Sequence, residues 1–144
     1  MLSEKQSIGD QFKECRNTEE IYHKIIAHAK KLPPFDPAWK QETNRVSGCQ
    51  SLMYLYSEIR EGKIYFSAFS EALISAGLAA LLIHFYNGRT PEEVLTTPPS
   101  FLDELNISNT LTPGRANGLS SLYLHMKRAA LYHLRKLMTQ SQLG

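Results

Sequence analysis

Two segments of alternating polarity joined by a short turn constrain the fold of this chain more than any other feature. In residues 52–59, the apolar residues Met53, Leu55 and Ile59 fall on one face at period-two spacing, which is the period of a β-strand with one buried face. Glu61 and Gly62 follow as a two-residue turn, and residues 63–69 alternate again. We therefore predict a β-hairpin. Its buried face is expected to carry Met53, Leu55, Ile59, Ile64, Phe66 and Ala68.

The segment before the hairpin predicts a helix. Thr18 is a suitable N-cap, and apolar side chains recur at helical spacing through residues 19–32. Pro33 and Pro34 end this segment, because proline cannot continue the hydrogen-bond ladder of a helix. A second, short amphipathic helix is expected within residues 1–17.

The most apolar stretch, residues 72–85, predicts a buried central helix. It is too short to cross a bilayer, which needs about 20 apolar residues. We expect Ser70 to cap this helix, which would run over residues 71–86, and Asn87 with Gly88 to end it.

Two threonine–proline pairs predict the later helices. Residues 90–93 combine a capping box with a proline at the first helical position, which predicts a short helix. Residues 101–105 predict another helical turn. Thr112 and Pro113 then begin a long helix with an apolar stripe. Consecutive strands followed by helices indicate an α+β fold with an antiparallel sheet and helices packed on one face.

Composition limits the classes of function. The 144 residues suit a single domain, residues 1–144, and 42% hydrophobic with 21% charged residues is typical of globular proteins. A formal net charge of +2 does not indicate nucleic-acid binding. Residues 1–16 hold no apolar block, which argues against a secretory signal. Two cysteines are too few for a disulfide scaffold, so we expect a reducing compartment, the cytoplasm.

Cys49 is the candidate for chemistry. It follows Gly48 at a break between apolar segments, where glycine permits a positive φ. Two interpretations remain open at this point: a small buried side chain, as most free cysteines are, or a reactive thiol. The chain contains no CxxC, HExxH or glycine-rich phosphate loop. A single thiol at a turn, without a local base, suits a sulfur carrier better than a hydrolase.

An ordered set of motifs spanning about residues 10–130 resembles the SufE family of sulfur-acceptor proteins. The resemblance implies an α+β fold with a three-stranded antiparallel sheet, similar to the iron–sulfur scaffold IscU. The chain departs from the family pattern at Tyr54, Phe69 and Gly114. The matching motifs are Arg45-Val46-Ser47-Gly48-Cys49-Gln50-Ser51, Ser70-Glu71-Ala72, Gly77-Leu78, Thr90-Pro91-Glu92-Glu93 and Leu111-Thr112-Pro113-Gly114-Arg115-Ala116-Asn117-Gly118-Leu119.

The resemblance also implies a function. A member of this family is not itself an enzyme: it takes sulfur from a PLP-dependent cysteine desulfurase similar to SufS, stimulates that enzyme, and passes sulfur to a SufBCD-like assembly scaffold. Cys49 would carry the sulfur as a persulfide. The chain would hold no cofactor and no metal, because PLP belongs to the partner. It would be a monomer or a weak homodimer without nucleic-acid or membrane partners. The alternative is a scaffold that itself binds a metal or a nascent cluster.

Further site residues follow from the same resemblance. Arg115 would stabilise a thiolate or persulfide anion, or pair with Glu71 in an ordinary salt bridge. We also expect Cys49 to rest in shelter and to turn outward for a partner. The residues expected to shelter it are Val46, Leu52 and Tyr54. The residues expected to contact the partner are Gly48, Gln50, Ser51 and Glu71.

Overall fold

The structure is a computed structural model that describes residues 12–49, 51–104, 107 and 111–143. The helices and strands named below are, in chain order, α1 (Thr18–Ala29), β1 (Met53–Arg60), β2 (Lys63–Ser70), α2 (Leu73–Tyr86), α3 (Pro91–Thr96), α4 (Phe101–Glu104) and α5 (Pro113–Leu143). Short 3₁₀ turns occur at Pro37–Trp39 and Glu42–Asn44. Helices combined with an antiparallel sheet confirm the predicted α+β class.

The hairpin forms as predicted. β1 and β2 pair antiparallel from Met53 opposite Ser70 to Arg60 opposite Lys63. The turn residues Glu61 and Gly62 have φ values of 54° and 78°, and such a turn matches the right-handed twist of the two strands. The predicted inner face is confirmed: Ile59 is half-buried and the other members are buried, namely Met53, Leu55, Ile64, Phe66 and Ala68.

The prediction of a third strand is wrong. In the part of the chain that the structure describes, the sheet has two strands. The segment before β1 makes only an isolated bridge between Arg45 and Tyr54, with Val46 N donating to Met53 O at 2.9 Å. The chain leaves the sheet after this point because Gly48 adopts φ = 88°, outside the extended region that a strand requires. The third strand is thereby reduced to a single bridge.

Asn87 ends α2 and also covers the free edge of β2. Its side chain accepts a hydrogen bond from Phe66 N at 2.8 Å and donates one to Phe66 O at 3.3 Å. Ile64 N donates to Arg89 O beside it at 2.8 Å. The end of α2 at Asn87 and Gly88 was predicted, whereas this covering of the sheet edge was not.

α2 lies at the centre of the fold, as expected from its composition. Ten of its fourteen residues are buried, because α1, β2 and α5 pack around it. Gly77 sits against the backbone of Ile25 in α1, where an added Cβ would overlap the Ile25 carbonyl. The predicted cap is wrong: Ser70 remains in β2 opposite Met53, and its hydroxyl accepts from Ala72 N. The N-cap of α2 is Ala72, which makes no side-chain cap bond.

The helices α1 and α3 begin at predicted capping sequences, but the cap of α1 lies one residue earlier than predicted. Asn17, not Thr18, caps α1, and its side chain accepts from Glu20 N at 2.9 Å. Both residue types are good caps, so the prediction missed by one position. The capping box of Thr90 and Glu93 is confirmed at the start of α3. The helix expected within residues 1–17 falls largely outside the described residues.

The two faces of the hairpin are covered differently. α5 packs on the inner face through a stripe that includes Leu122, Met126 and Ala130, as predicted. The outer face meets the linker before β1, where Trp39 stacks on Tyr56 with ring centroids 3.9 Å apart. Aromatic contacts extend this outer layer through Phe35, Tyr54 and Phe69.

Candidate functional site

The loop before β1 turns sharply to bring Cys49 onto α5. Gly48 has φ = 88°, a conformation that side chains with a Cβ rarely adopt. An added Cβ would also collide with the hydroxyl of Ser121 on α5. Glycine is therefore required here both by the backbone angle and by the close approach of the helix.

Cys49 is half-buried against the first turns of α5. Its Sγ lies 3.7 Å from the backbone oxygen of Gly118 and donates a weak hydrogen bond to it. Gly118 lies directly against the thiol: a Cβ at that position would stand 3.5 Å from Sγ, an ordinary van der Waals distance, so a small side chain would also fit there. Both cysteines, Cys15 and Cys49, are free thiols.

A cavity of about 160 Å³ opens beside the thiol. It is roughly ten times the volume that one water needs, so it has room for a second sulfur atom on Cys49. We call it the Cys49 cavity. Its lining comprises Cys49, Ser51, Met53, Ala72, Ser75, Leu78, Gly114, Arg115, Gly118, Leu119 and Leu122.

The prediction of which residues shelter Cys49 is wrong. Val46, Leu52 and Tyr54 do not line the cavity. Val46 is buried in the core, and Tyr54 lies on the opposite face of the sheet with Phe35. The apolar walls come from α2 and α5 instead, since these helices meet the inner face of β1.

Burial raises the pKa of the Cys49 thiol above its ordinary value, because the surroundings disfavour the charged form. At neutral pH the thiol in this position is therefore protonated. The thiolate is the nucleophile, so this arrangement stores the cysteine in a weakly reactive state.

Of the residues that the structure describes, Arg115 is the one arginine or lysine in the lining of the Cys49 cavity. It stands in the first turn of α5, where Thr112 Oγ1 accepts from its backbone N–H at 3.4 Å, and it lines the Cys49 cavity. Its guanidinium lies 5.5 Å from the centre of the Tyr22 ring. Among the described residues it makes no ion pair with Glu71. The salt-bridge interpretation is thus not what this conformation shows.

The other predicted contact residues do not all gather at the Cys49 cavity. Gly48 is exposed at the loop, and Ser51 lies inside the cavity with its hydroxyl 3.1 Å from that of Ser75. Glu71 is exposed and does not line the cavity. Gln50 lies outside the described residues.

Sequence reasoning did not assign Gly118 and Ser121 to the site, where Gly118 lies against Cys49 and Ser121 lies against Gly48. A signal was present: Gly114 and Gly118 are four residues apart, and so face the same side of α5. Small residues at that spacing indicate that another backbone approaches the helix closely. What approaches could not be read from the pattern.

Two further observations bear on the site. In the part of the chain that the structure describes, no three His, Cys, Asp or Glu side chains gather as metal ligands. None of the described helices is both long enough and apolar enough to cross a membrane.

Comparison with known proteins decides the family. A sequence model of the SufE family, described as an Fe-S metabolism associated domain, matches residues 6–130. The chain belongs to the SufE family. Membership associates it with iron–sulfur metabolism, as the motifs around Cys49 and Arg115 indicated.

Individual SufE relatives agree. The chain is 36% identical over 122 residues to the cysteine desulfuration protein SufE of Wigglesworthia glossinidia brevipalpis, covering 83% of this chain and 84% of that one. It is 32% identical over 124 residues to an uncharacterized SufE-like protein of Synechocystis sp., covering 86% and 78%. SufE-like protein 1, chloroplastic/mitochondrial, of Arabidopsis thaliana is 30% identical over 128 residues, which are 88% of this chain but 34% of that protein.

A solved structure shows the same fold. The solution structure of a hypothetical protein from Thermus thermophilus superposes with a TM-score of 0.75 and 25% identity. The match covers 92% of this chain and 96% of that one.

Proposed function

We propose that this SufE-family protein is a sulfur acceptor whose Cys49 receives sulfane sulfur from a PLP-dependent cysteine desulfurase. It then delivers that sulfur to an iron–sulfur assembly scaffold, and it stimulates the desulfurase by freeing the desulfurase's own cysteine. It acts through one domain, as a monomer or weak homodimer, in the cytoplasm. The observation that carries the proposal is the free Cys49 thiol on a glycine turn beside a cavity large enough for one more sulfur atom.

The transfer is a thiol–disulfide-type exchange. The Cys49 thiolate attacks the outer sulfur of the desulfurase persulfide, and a new sulfur–sulfur bond forms on Cys49. The sulfur–sulfur bond of the donor breaks, and the donor cysteine leaves as a thiolate. The oxidation level of the pair does not change, so no cofactor is required on this chain.

The surroundings of Cys49 fit the stored product. Met53, Leu78 and Leu122 give the cavity apolar walls, against which the outer sulfur of a persulfide would pack. Ser51 and Arg115 add polar groups at the same cavity. An anionic persulfide attracts a guanidinium, so Arg115 is the side chain able to stabilise it after a modest movement away from Tyr22.

The same surroundings imply that the partner must change the loop. Transfer requires an approach along the sulfur–sulfur axis, whereas Sγ now points to Gly118 O on α5. Gly48 is the hinge suited to this change, because glycine crosses backbone regions closed to other residues. We infer a sheltered resting state and an outward state in the complex.

The rival function is a scaffold that binds a metal or a nascent cluster. A cluster is held by about four ligands, most often cysteines, and this chain has two cysteines. A scaffold would therefore need ligands from elsewhere, so we favour the carrier.

One experiment separates these functions. The protein is incubated with a cysteine desulfurase and cysteine, and intact and peptide masses are recorded without reductant. The carrier gains one sulfur atom on the Cys49 peptide, and the scaffold instead retains iron when iron is supplied. A protein that gains neither sulfur nor iron would contradict both.

A further inference from the structure

A second concave surface lies farther along α5, and the proposed function does not use it. We call it the basic groove. It has a volume of about 530 Å³ and lies between α5, β1 and the turn Glu42–Asn44. Its lining comprises Thr43, Asn44, Arg45, Leu55, Tyr56, Ser57, His125, Arg128, Ala129, Tyr132 and His133.

The charges of the groove have one sign. Arg45 and Arg128 stand on opposite walls, and no Asp or Glu belongs to the lining. Arg45 has a neighbouring carboxylate, Glu42, at 3.6 Å, and both side chains are exposed. Arg128 is exposed and makes no ion pair with any residue that the structure describes. An arginine in this state is available to a carboxylate from another molecule.

The helix that forms one wall of the groove, α5, also carries charges of one sign, all positive. Residues 113–143 include three arginines and two lysines but no Asp or Glu. Elsewhere the chain carries all fourteen of its acidic residues. A surface of one sign attracts a partner surface of the other sign and repels a second copy of itself.

Hydrogen-bonding and apolar groups lie between the arginines. His133 Nε2 and Ser57 Oγ are 3.0 Å apart on the floor, and burial lowers the pKa of His133, so its ring is uncharged at neutral pH. Tyr132 is 57% exposed at the rim, with the Lys136 ammonium 5.2 Å from its ring centre. Arginine and tyrosine are the residue types enriched in protein interfaces.

The groove is continuous with the sulfur site. Gly118, Ser121, His125, Arg128 and Tyr132 follow one another at spacings of three and four, so they share one face of α5. The first two touch the Cys49 loop, and the last three line the groove. This face extends about 21 Å, at 1.5 Å per residue. The opposite wall of the groove is also connected to the sulfur site, because Arg45 in that wall is only four residues before Cys49.

From this placement we propose that the basic groove binds an acidic polypeptide segment of the cysteine desulfurase while Cys49 meets that enzyme's persulfide. The proposal rests on the proposed function. Carboxylates of the segment pair with Arg128 and Arg45, and its apolar side chains pack on Tyr132 and Leu55. The groove supplies affinity and orientation, whereas the Cys49 cavity supplies the chemistry.

The test uses a charge reversal with a matched control one residue away. Arg128→Glu places a carboxylate in the groove, whereas Lys127→Glu makes the same change of charge about 100° around α5, outside the lining. Affinity for a desulfurase whose own cysteine is replaced by serine is measured by calorimetry at two salt concentrations. Loading of Cys49 by the intact desulfurase is measured separately by mass.

We expect Arg128→Glu to raise Kd at least tenfold and to weaken its salt dependence. Lys127→Glu should change Kd less than twofold, and Arg128→Gln should fall between. At saturating desulfurase, Arg128→Glu should still load Cys49. Thermal midpoints of all variants check that they fold.

Other outcomes overturn the proposal. Equal weakening by both reversals would mean long-range attraction only, and no weakening by either would mean that the groove is unused. Absence of binding by the wild-type protein, or a self-association that only Arg128→Glu abolishes, would also contradict it. If Cys49 never gains sulfur although Arg128→Glu selectively weakens binding, the proposed function fails while the groove remains a desulfurase site.

Discussion

The Cys49 cavity and the basic groove share one face of α5 but differ in what that face presents. At the cavity, Gly118 and Ser121 are small, so the Cys49 loop comes close and leaves about 160 Å³. Two turns later, Arg128 and Tyr132 are long, and they hold open about 530 Å³. Side-chain size along one helix thus divides a continuous surface into a smaller cavity beside the thiol and a larger groove farther along the helix.

The cavity and the groove also differ in their charged groups. In the cavity, burial keeps the Cys49 thiol neutral and weakly reactive. In the groove, Arg128 is exposed and makes no ion pair with the residues that the structure describes. Half-buried, largely apolar surroundings suit storage of a labile sulfur atom, and exposed charged surroundings suit recognition of a partner. The predictions below separate these two tasks.

The largest effect is expected at the thiol. Cys49→Ser should abolish sulfur acceptance, because serine has no accessible alkoxide at neutral pH and cannot store sulfane sulfur. Its affinity for the desulfurase should remain within about twofold, since the groove is intact. Cys15→Ser should keep most of the activity. Sulfur gain by mass and Kd by calorimetry measure the two tasks, and an inactive Cys15 variant beside an active Cys49 variant would refute the assignment.

A smaller effect is expected at Arg115. Arg115→Ala should slow sulfur transfer roughly tenfold, equal to about 1.4 kcal/mol in the transition state, because the lining of the Cys49 cavity loses its arginine. The thermal midpoint should change little. Arg60→Ala is the matched control, since Arg60 also lies over a tyrosine ring, 3.9 Å from Tyr65, but far from the cavity lining.

The rate from single-turnover mass spectrometry distinguishes the interpretations of Arg115. Arg115→Lys should recover part of the rate because it keeps the charge. If Arg115→Ala instead lost stability and activity in parallel, the arginine would be structural.

The smallest effect is expected from loosening the Cys49 loop. Gly48→Ala adds backbone strain of about 1–2 kcal/mol and a collision with Ser121. Cys49 should then leave its shelter, and its alkylation by excess iodoacetamide should accelerate several-fold. Because burial raises the thiol pKa, the wild-type rate should rise at higher pH than that of an unstructured cysteine peptide, and the variant should shift back toward the peptide.

Gly62→Ala controls for strain alone. Gly62 also has a positive φ, 78°, but an added Cβ there meets nothing within 4 Å. It should lower the free energy of unfolding without changing the alkylation of Cys49. Wild-type alkylation already as fast as that of the peptide would disprove the sheltered state. Substoichiometric desulfurase should accelerate wild-type alkylation if the partner turns the loop outward.

Local patterns determined much of this protein. Alternation in the hairpin, the capping box at Thr90 and the apolar run of α2 each depend on residues near one another in sequence, so the elements and the α+β class were predictable. The motif around Cys49 indicated the family for the same reason. Adjacent alternatives of similar quality, such as Asn17 and Thr18, shifted a boundary by one residue.

Tertiary structure alone decided what surrounds the thiol. Whether residues 45–47 became a strand depended on where Gly48 sent the chain, and that depended on Ser121, more than seventy residues later. The walls of the Cys49 cavity come from β1, α2 and α5, which are far apart in sequence and meet only in the packed structure. No local pattern signals their approach. The position of α2 depends on its close packing against α1 at Gly77, where an added Cβ would overlap the Ile25 carbonyl. The sequence indicated Cys49 as the candidate residue, whereas the burial of its thiol, the direction of its pKa shift and the groove farther along α5 arise only from the packing of distant helices.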